Sequence, residues 1–388
     1  MGYIGIIFPK GNVMKEKKQE ISLFLKILLQ VAKAFHFPEM PDSPKIGKWY
    51  RVTPRNSICA NGKPYHGCIR AGSERKLFII LNGGGVAVDP YTAARPISIT
   101  SMSSENFYFQ DVEPFSDAVA FLSLRRKDKE KNPFRNWSVV NIPYASGDFH
   151  AGMGDYPYKT VDGRDAVLYH HGYTNYRAVM TAAMKHLPDP EQILVMGGSA
   201  GGFGTALLSD DVIKLFPNCK DITCFVDSGL LLFDKWPEVA QNMWQAPKEI
   251  YENLHGTNIT FDALKALHEK YGDGIRYLFA SSVRDCALAQ YQSYLDGKGL
   301  VNTKAGGQRY QLMLKEMCLQ LKDAIPNIGL FIFDKPATGA LKDMDLTIHC
   351  IPFAKAHKPL VGTVSPMSWL WNAVCGKVET FGLELLEK

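Results

Sequence analysis

Four apolar residues, Ile193-Leu194-Val195-Met196, lead without a spacer into Gly197-Gly198-Ser199-Ala200-Gly201-Gly202, and a helical pattern follows over residues 202–208. Such a segment leaves little choice of fold. A strand must end in a turn too tight for side chains, and a helix must leave that turn at once. The pattern is Gly-x-Ser-x-Gly in a strand-turn-helix context, which lifts a serine hydroxyl out of the carboxyl edge of a sheet. A side chain at Gly197 or Gly201 would crowd the turn. Ser199 then stands at a helix N-terminus, where backbone N–H groups favour developing negative charge. Two other readings exist for a Gly/Ser turn. One is a plain serine N-cap. The other is a phosphate cradle, but no Gly-Lys-Ser/Thr follows and no acidic residue stands where a dinucleotide's ribose needs one.

The rest of the chain supplies a setting for that turn. Residues 76–81, 138–142, 193–196, 222–226, 276–280 and 329–333 are short, continuous apolar runs, the mark of strands covered on both faces. Helical patterns at 173–187, 202–208, 238–254 and 310–324 alternate with them. The expected fold is α/β: a doubly wound, mainly parallel sheet flanked by helices, of the α/β-hydrolase type. Residues 48–70, with the Asn61-Gly62 turn, read as an antiparallel hairpin. Residues 14–36 read as an amphipathic helix. No repeat or linker divides the chain, so the expected organisation is an N-terminal helical extension, 1–47, and one hydrolase domain, 48–388.

Charge and cysteine usage exclude several classes. Forty-four Lys and Arg against thirty-nine Asp and Glu leave +5, spread along the chain without blocks, so neither nucleic acid nor an anionic membrane surface is an expected partner. The apolar stretch 21–35 is interrupted by Lys26 and Lys33, falls short of the ~20 residues that cross a bilayer, and lacks a small-residue cleavage site. No membrane span, no signal peptide and a cytoplasmic location are therefore expected. The eight cysteines form no CxxC pair and no Cys/His zinc spacing, so neither a metal nor a cofactor is expected. Cys59 and Cys68 flank the Asn61-Gly62 turn and would bridge only in an oxidising compartment.

A second glycine cluster, Asn82-Gly83-Gly84-Gly85-Val86, ends the strand at 76–81. A hydrolase places there the loop whose backbone N–H joins that of the residue after the nucleophile. Donors from Gly85, Val86 and Ala200 are the expected oxyanion hole, where loss of one donor costs about 3 kcal/mol of transition-state stabilisation. The hydrolase order is serine, acid, histidine. Asp285 follows the second strand after the Ser199 turn, and His349 lies in the loop after the last strand. These are the expected acid and base. Asp227 and Asp334, also at strand ends, remain rival acids, and His357 lies in a Lys-rich segment. Asp148 and His150, in the loop after 138–142, either hold the oxyanion loop or contact the substrate alcohol. An Asp turn that merely stabilises the loop fits equally well. His170-His171 has no third ligand nearby and reads as a pair at the start of a helix.

Taken in order, Leu81-Asn82-Gly83-Gly84-Gly85, Ile142-Pro143-Tyr144, residues 147–152, Gly172-Tyr173-Thr174-Asn175-Tyr176, the Ser199 turn, Asp227-Ser228-Gly229 and Ile348-His349-Cys350 resemble the pectin acetylesterase family, which includes the Notum-like carboxylesterases. The resemblance implies Ser199 as nucleophile, Asp285 as acid, His349 as base, and Gly85, Val86 and Ala200 at the oxyanion-hole positions. It also implies a cofactor-free serine esterase whose substrate is a small-molecule or carbohydrate ester. Family members usually carry Trp and Cys after the glycines, where this chain has Val86 and Ala87. The same machinery would serve long-acyl esters or thioesters, and a non-catalytic binding protein on this scaffold is the reading from another class. Oligomeric state is not legible.

Overall fold

The computed structural model describes residues 36–97, 105–112, 128 and 131–387. Its strands, in chain order, are β1 (Trp49–Val52), β2 (Gly67–Arg70), β3 (Lys76–Leu81), β4 (Pro96–Ile97), β5 (Tyr108–Phe109), β6 (Ser138–Ile142), β7 (Gly154–Lys159), β8 (Asp165–His170), β9 (Gln192–Gly198), β10 (Asp221–Asp227), β11 (Ile275–Ser282) and β12 (Gly329–Phe333). Eight of them form one sheet in the order β1-β2-β6-β3-β9-β10-β11-β12. From β6 to β12 every neighbouring pair is parallel, while β1 and β2 join as an antiparallel edge.

Alternate residues of these strands feed two cores. Ile79, Val140, Val195, Cys224, Phe279 and Ile332 face one side, where they meet the helices Gly172–His186, Ala200–Leu215, Ile259–Tyr271, Cys286–Leu295 and Lys304–Ala324. Phe78, Val139, Leu194, Phe225, Leu278 and Phe331 face the other, packed with Phe134, Trp137 and the helix Pro366–Val374. Burial on both faces explains why these strands read as unbroken apolar runs, and the expected helix-flanked, mainly parallel sheet is the one observed. The chain runs outward from β3 in one direction and from β9 in the other. The crevice over this reversal is where an open α/β sheet binds its ligand.

Some expectations change. Residues 238–254 do not form one helix. A short helix, Trp236–Glu238, passes into a π-helical turn, Val239–Met243, and a separate short helix, Lys248–Tyr251, begins after Pro247. Pro247 offers no N–H and pushes the residue before it out of the helical region. The helix read at 202–208 begins at Ala200 and runs to Leu215. Residues 14–35 of the expected N-terminal helix lie outside the described residues, and 36–47 contain no helix. The hairpin is present, with Trp49 opposite Arg70 and Val52 opposite Gly67. Cys59 and Cys68 are both buried thiols, packed in the cores on opposite faces of the sheet. Among the described residues, no helix is long and apolar enough to cross a membrane.

Candidate active site

Strand β9 delivers Ser199 into a backbone conformation with φ 57° and ψ −129°. A non-glycine residue is rarely held there, and doing so costs about 1–3 kcal/mol. Packing enforces it. A methyl group at Gly197 would collide with the carbonyl of Gly201, and one at Gly201 with the carbonyl of Leu81 on the adjacent β3. The Ser199 N–H donates to the Asp227 carbonyl at 3.0 Å, and the Ser199 carbonyl accepts from Gly202 and Phe203 at 2.7 and 3.2 Å as the helix begins. The hydroxyl-bearing residue is partly exposed at the carboxyl edge of the sheet.

Asp285, two strands away beyond β11, is completely buried. Its carboxylate caps the helix Cys286–Leu295, accepting from the N–H groups of Ala287 and Leu288 at 3.0 Å each. Both its oxygens also lie 2.8 Å from Nδ1 of His349. That pairing puts the proton on Nδ1 and leaves Nε2 as the basic nitrogen. Burial works against a charge on His349, but the Asp285 carboxylate outweighs it and raises the imidazole above its ordinary range.

The loop that carries His349 is laced to the loop that carries Asp285. Thr347 N–H donates to the Arg284 carbonyl and Cys286 N–H to the Thr347 carbonyl, each at 3.0 Å. Ser282 Oγ donates to the Ile348 carbonyl at 2.6 Å. Arg284 spreads its guanidinium over the Asp345 carbonyl, Gln311 and Asp334. Asp334, one of the rival acids, is thus engaged by Arg284. The other rival, Asp227, accepts Ile351 N–H at 2.8 Å. Cys350, next to His349, packs its sulfur against Gly198, where an added methyl group would meet it at 3.2 Å, so the histidine loop lies on the nucleophile turn.

The glycine loop lies beside that turn because β3 and β9 are neighbours, with Leu81 opposite Gly197. One expected donor is already committed. Val86 N–H donates to the Phe107 carbonyl at 2.8 Å, which takes it out of the expected set and leaves Gly85 and Ala200. The Tyr291 hydroxyl donates to the same Phe107 carbonyl. Gly85 has φ 81°, and any side chain there would strike that carbonyl. Sequence reasoning missed Tyr291 and Arg284. Tyr291 becomes visible only once Asp285 is seen as the cap of a helix.

The expectation that Asp148 and His150 touch substrate is overturned by burial, since they are 0% and 1% exposed. The Asp148 carboxylate accepts from Ser146 Oγ (2.6 Å) and from the N–H groups of His150 (3.0 Å), Gly152 (3.1 Å) and Gly172 (2.8 Å). These bonds hold Phe149 and His150 at φ 53° and 64°. His150 Nε2–H in turn donates to the Asn82 carbonyl at 2.8 Å, at the start of the glycine loop. Burial depresses His150 to about 4, opposed by that bond, so the ring is neutral. The pair therefore holds the loop. His171 occupies the N-cap position of the helix Gly172–His186, and no group of three or more metal-ligating side chains occurs among the described residues.

With this geometry in view, the sequence model of the pectinacetylesterase family matches residues 52–280, more than half of the chain. The chain belongs to the pectinacetylesterase family. It is accordingly an esterase that acts on carboxylic esters. The matched span takes in the glycine loop, Ser199 and Asp227, and ends before Asp285 and His349. Among solved structures, the Wnt deacylase Notum from Drosophila is similar, at 18% identity over 85% of this chain and 94% of that one, with a TM-score of 0.52. That likeness is one of fold.

Proposed function

We propose that this esterase is a serine hydrolase that removes a small O-acyl group from a sugar-like alcohol, with Ser199, Asp285 and His349 as its triad. One observation carries the reading: an Asp285–His349 pair at 2.8 Å whose loop rests on the strained turn of Ser199. In the first half-reaction the Ser199 hydroxyl attacks the ester carbonyl while His349 Nε2 takes its proton. The Gly85 and Ala200 N–H groups stabilise the tetrahedral oxyanion. His349 returns the proton to the departing alcohol, leaving an acyl-serine. Water then attacks the acyl carbonyl as His349 takes a proton from it, and collapse of the second intermediate releases the acid and restores Ser199. The choice of a small acyl group and a sugar-like alcohol follows the family's description.

Hydrolysis of p-nitrophenyl esters of increasing chain length by wild type and Ser199→Ala tests both parts. Activity that falls from acetate to longer chains and vanishes in the folded Ser199→Ala variant is expected. Full activity in that variant removes Ser199 from the mechanism, and a preference for long chains replaces the small-acyl substrate with a lipid-like one.

A further inference from the structure

The Asp227-Ser228-Gly229 segment has no part in the chemistry above, yet it joins the nucleophile turn, the histidine loop and the strand that leads to Asp285. Asp227 ends β10, 2% exposed, with Gly198 opposite on β9 and Ala280 opposite on β11. Its carbonyl accepts the Ser199 N–H at 3.0 Å. Its carboxyl accepts the Ile351 N–H, two residues past His349, at 2.8 Å and the Ser228 hydroxyl at 3.1 Å. Ser228 is itself held at φ 54° while its N–H donates to Ala280 at 2.8 Å. One residue thus grips the nucleophile turn with its main chain and the histidine loop with its side chain.

We propose that Asp227 is a positioning residue whose carboxyl locks the His349 loop onto the nucleophile turn. This rests on the triad reading above. A merely structural strand-end aspartate would need only an acceptor for Ile351. Asp227 differs in its electrostatic company: His349 and Cys350 act on it from the histidine loop and Asp285 from the acid loop, while the nucleophile turn meets it through the backbone of Gly198, Ser199 and Gly202. Burial pushes its carboxyl up to about 7, with the Ile351 N–H and His349 pulling the other way. Once ionised, as pH rises through about 7, it favours the protonated form of His349, the form that cannot act as a base. The residue that fixes the histidine loop therefore also helps to set the pH at which the histidine becomes competent.

The test uses the full chain as wild type, Asp227→Asn and Asp227→Ala, with kcat and KM for p-nitrophenyl acetate followed from about pH 5 to about pH 9. Asparagine keeps an acceptor for Ile351 and removes the charge. The acidic limb of its kcat/KM profile is expected at lower pH than in wild type. Alanine removes the acceptor as well, and kcat is expected to drop roughly tenfold or more with KM little changed. An Asp227→Asn limb at the wild-type position, or an Asp227→Ala kcat within about twofold of wild type, overturns the proposal. If the alanine variant does not fold, the asparagine profile decides alone. Ser199→Ala in the same assay separates the two claims, since activity there refutes the triad itself, whereas its loss beside an unmoved Asp227→Asn limb refutes only the role of Asp227.

Discussion

Replacing His150 by glutamine isolates one contribution to acid stability. In the unfolded chain this imidazole takes up a proton near its ordinary 6.5, whereas burial in the fold holds it neutral down to about 4. Below pH 6.5 the unfolded state therefore binds more protons than the folded one, and stability must fall with pH until the folded ring also protonates near 4. The interval from 6.5 to about 4 corresponds to about 3 kcal/mol in full, of which roughly 2 kcal/mol is lost by about pH 5. Exposure is only 1%, so solvent screening takes little from that figure. Glutamine retains an N–H donor for the Asn82 carbonyl but cannot titrate. Reversible urea unfolding at about pH 7.5 and about pH 5 should show wild type losing about 2 kcal/mol more than His150→Gln. His170, held down to about 3, is common to both proteins and cancels. Parallel losses in the two proteins would refute the assignment of a buried neutral imidazole at 150.

Two further substitutions examine the site from other directions. Asp285→Asn keeps the helix cap but withdraws the charge that fixes the His349 tautomer, so kcat for p-nitrophenyl acetate should drop on the order of ten-thousandfold; a variant as active as wild type would hand the acid role to another group. Gly201→Ala forces a methyl group into the Leu81 carbonyl, and a loss of at least ~2 kcal/mol of stability, or failure to accumulate folded protein, is expected. An unchanged melting temperature would contradict the close packing of the turn.

How far these features can be read in the chain depends on whether local or distant groups define them. The Ser199 turn is legible because it needs glycine at fixed neighbouring positions, and the central strands because burial on two faces leaves an unbroken apolar run. Asp285 and His349 could be placed by strand order, since a parallel sheet sends every such loop to one edge. The β7–β8 hairpin went unread although Asp162-Gly163, with Gly163 at φ 82°, is a short turn between its strands. The helices Ile259–Tyr271 and Pro366–Val374 also carry local marks, with Asn258 and Ser365 as side-chain caps. Other features could not be foreseen locally. The capture of Val86 N–H by Phe107 and the hold of His150 on Asn82 join residues distant in sequence. In the same way, Asp148 looks polar enough for a substrate contact until the fold surrounds it with four donors.

The most direct test of the serine mechanism is covalent labelling by a fluorophosphonate, with the modified peptide located by mass spectrometry and residual esterase activity measured alongside. One adduct on Ser199, accumulating in step with the loss of activity and absent from Ser199→Ala, is the expected result. An adduct on a different residue, or activity that survives complete modification of Ser199, would contradict it.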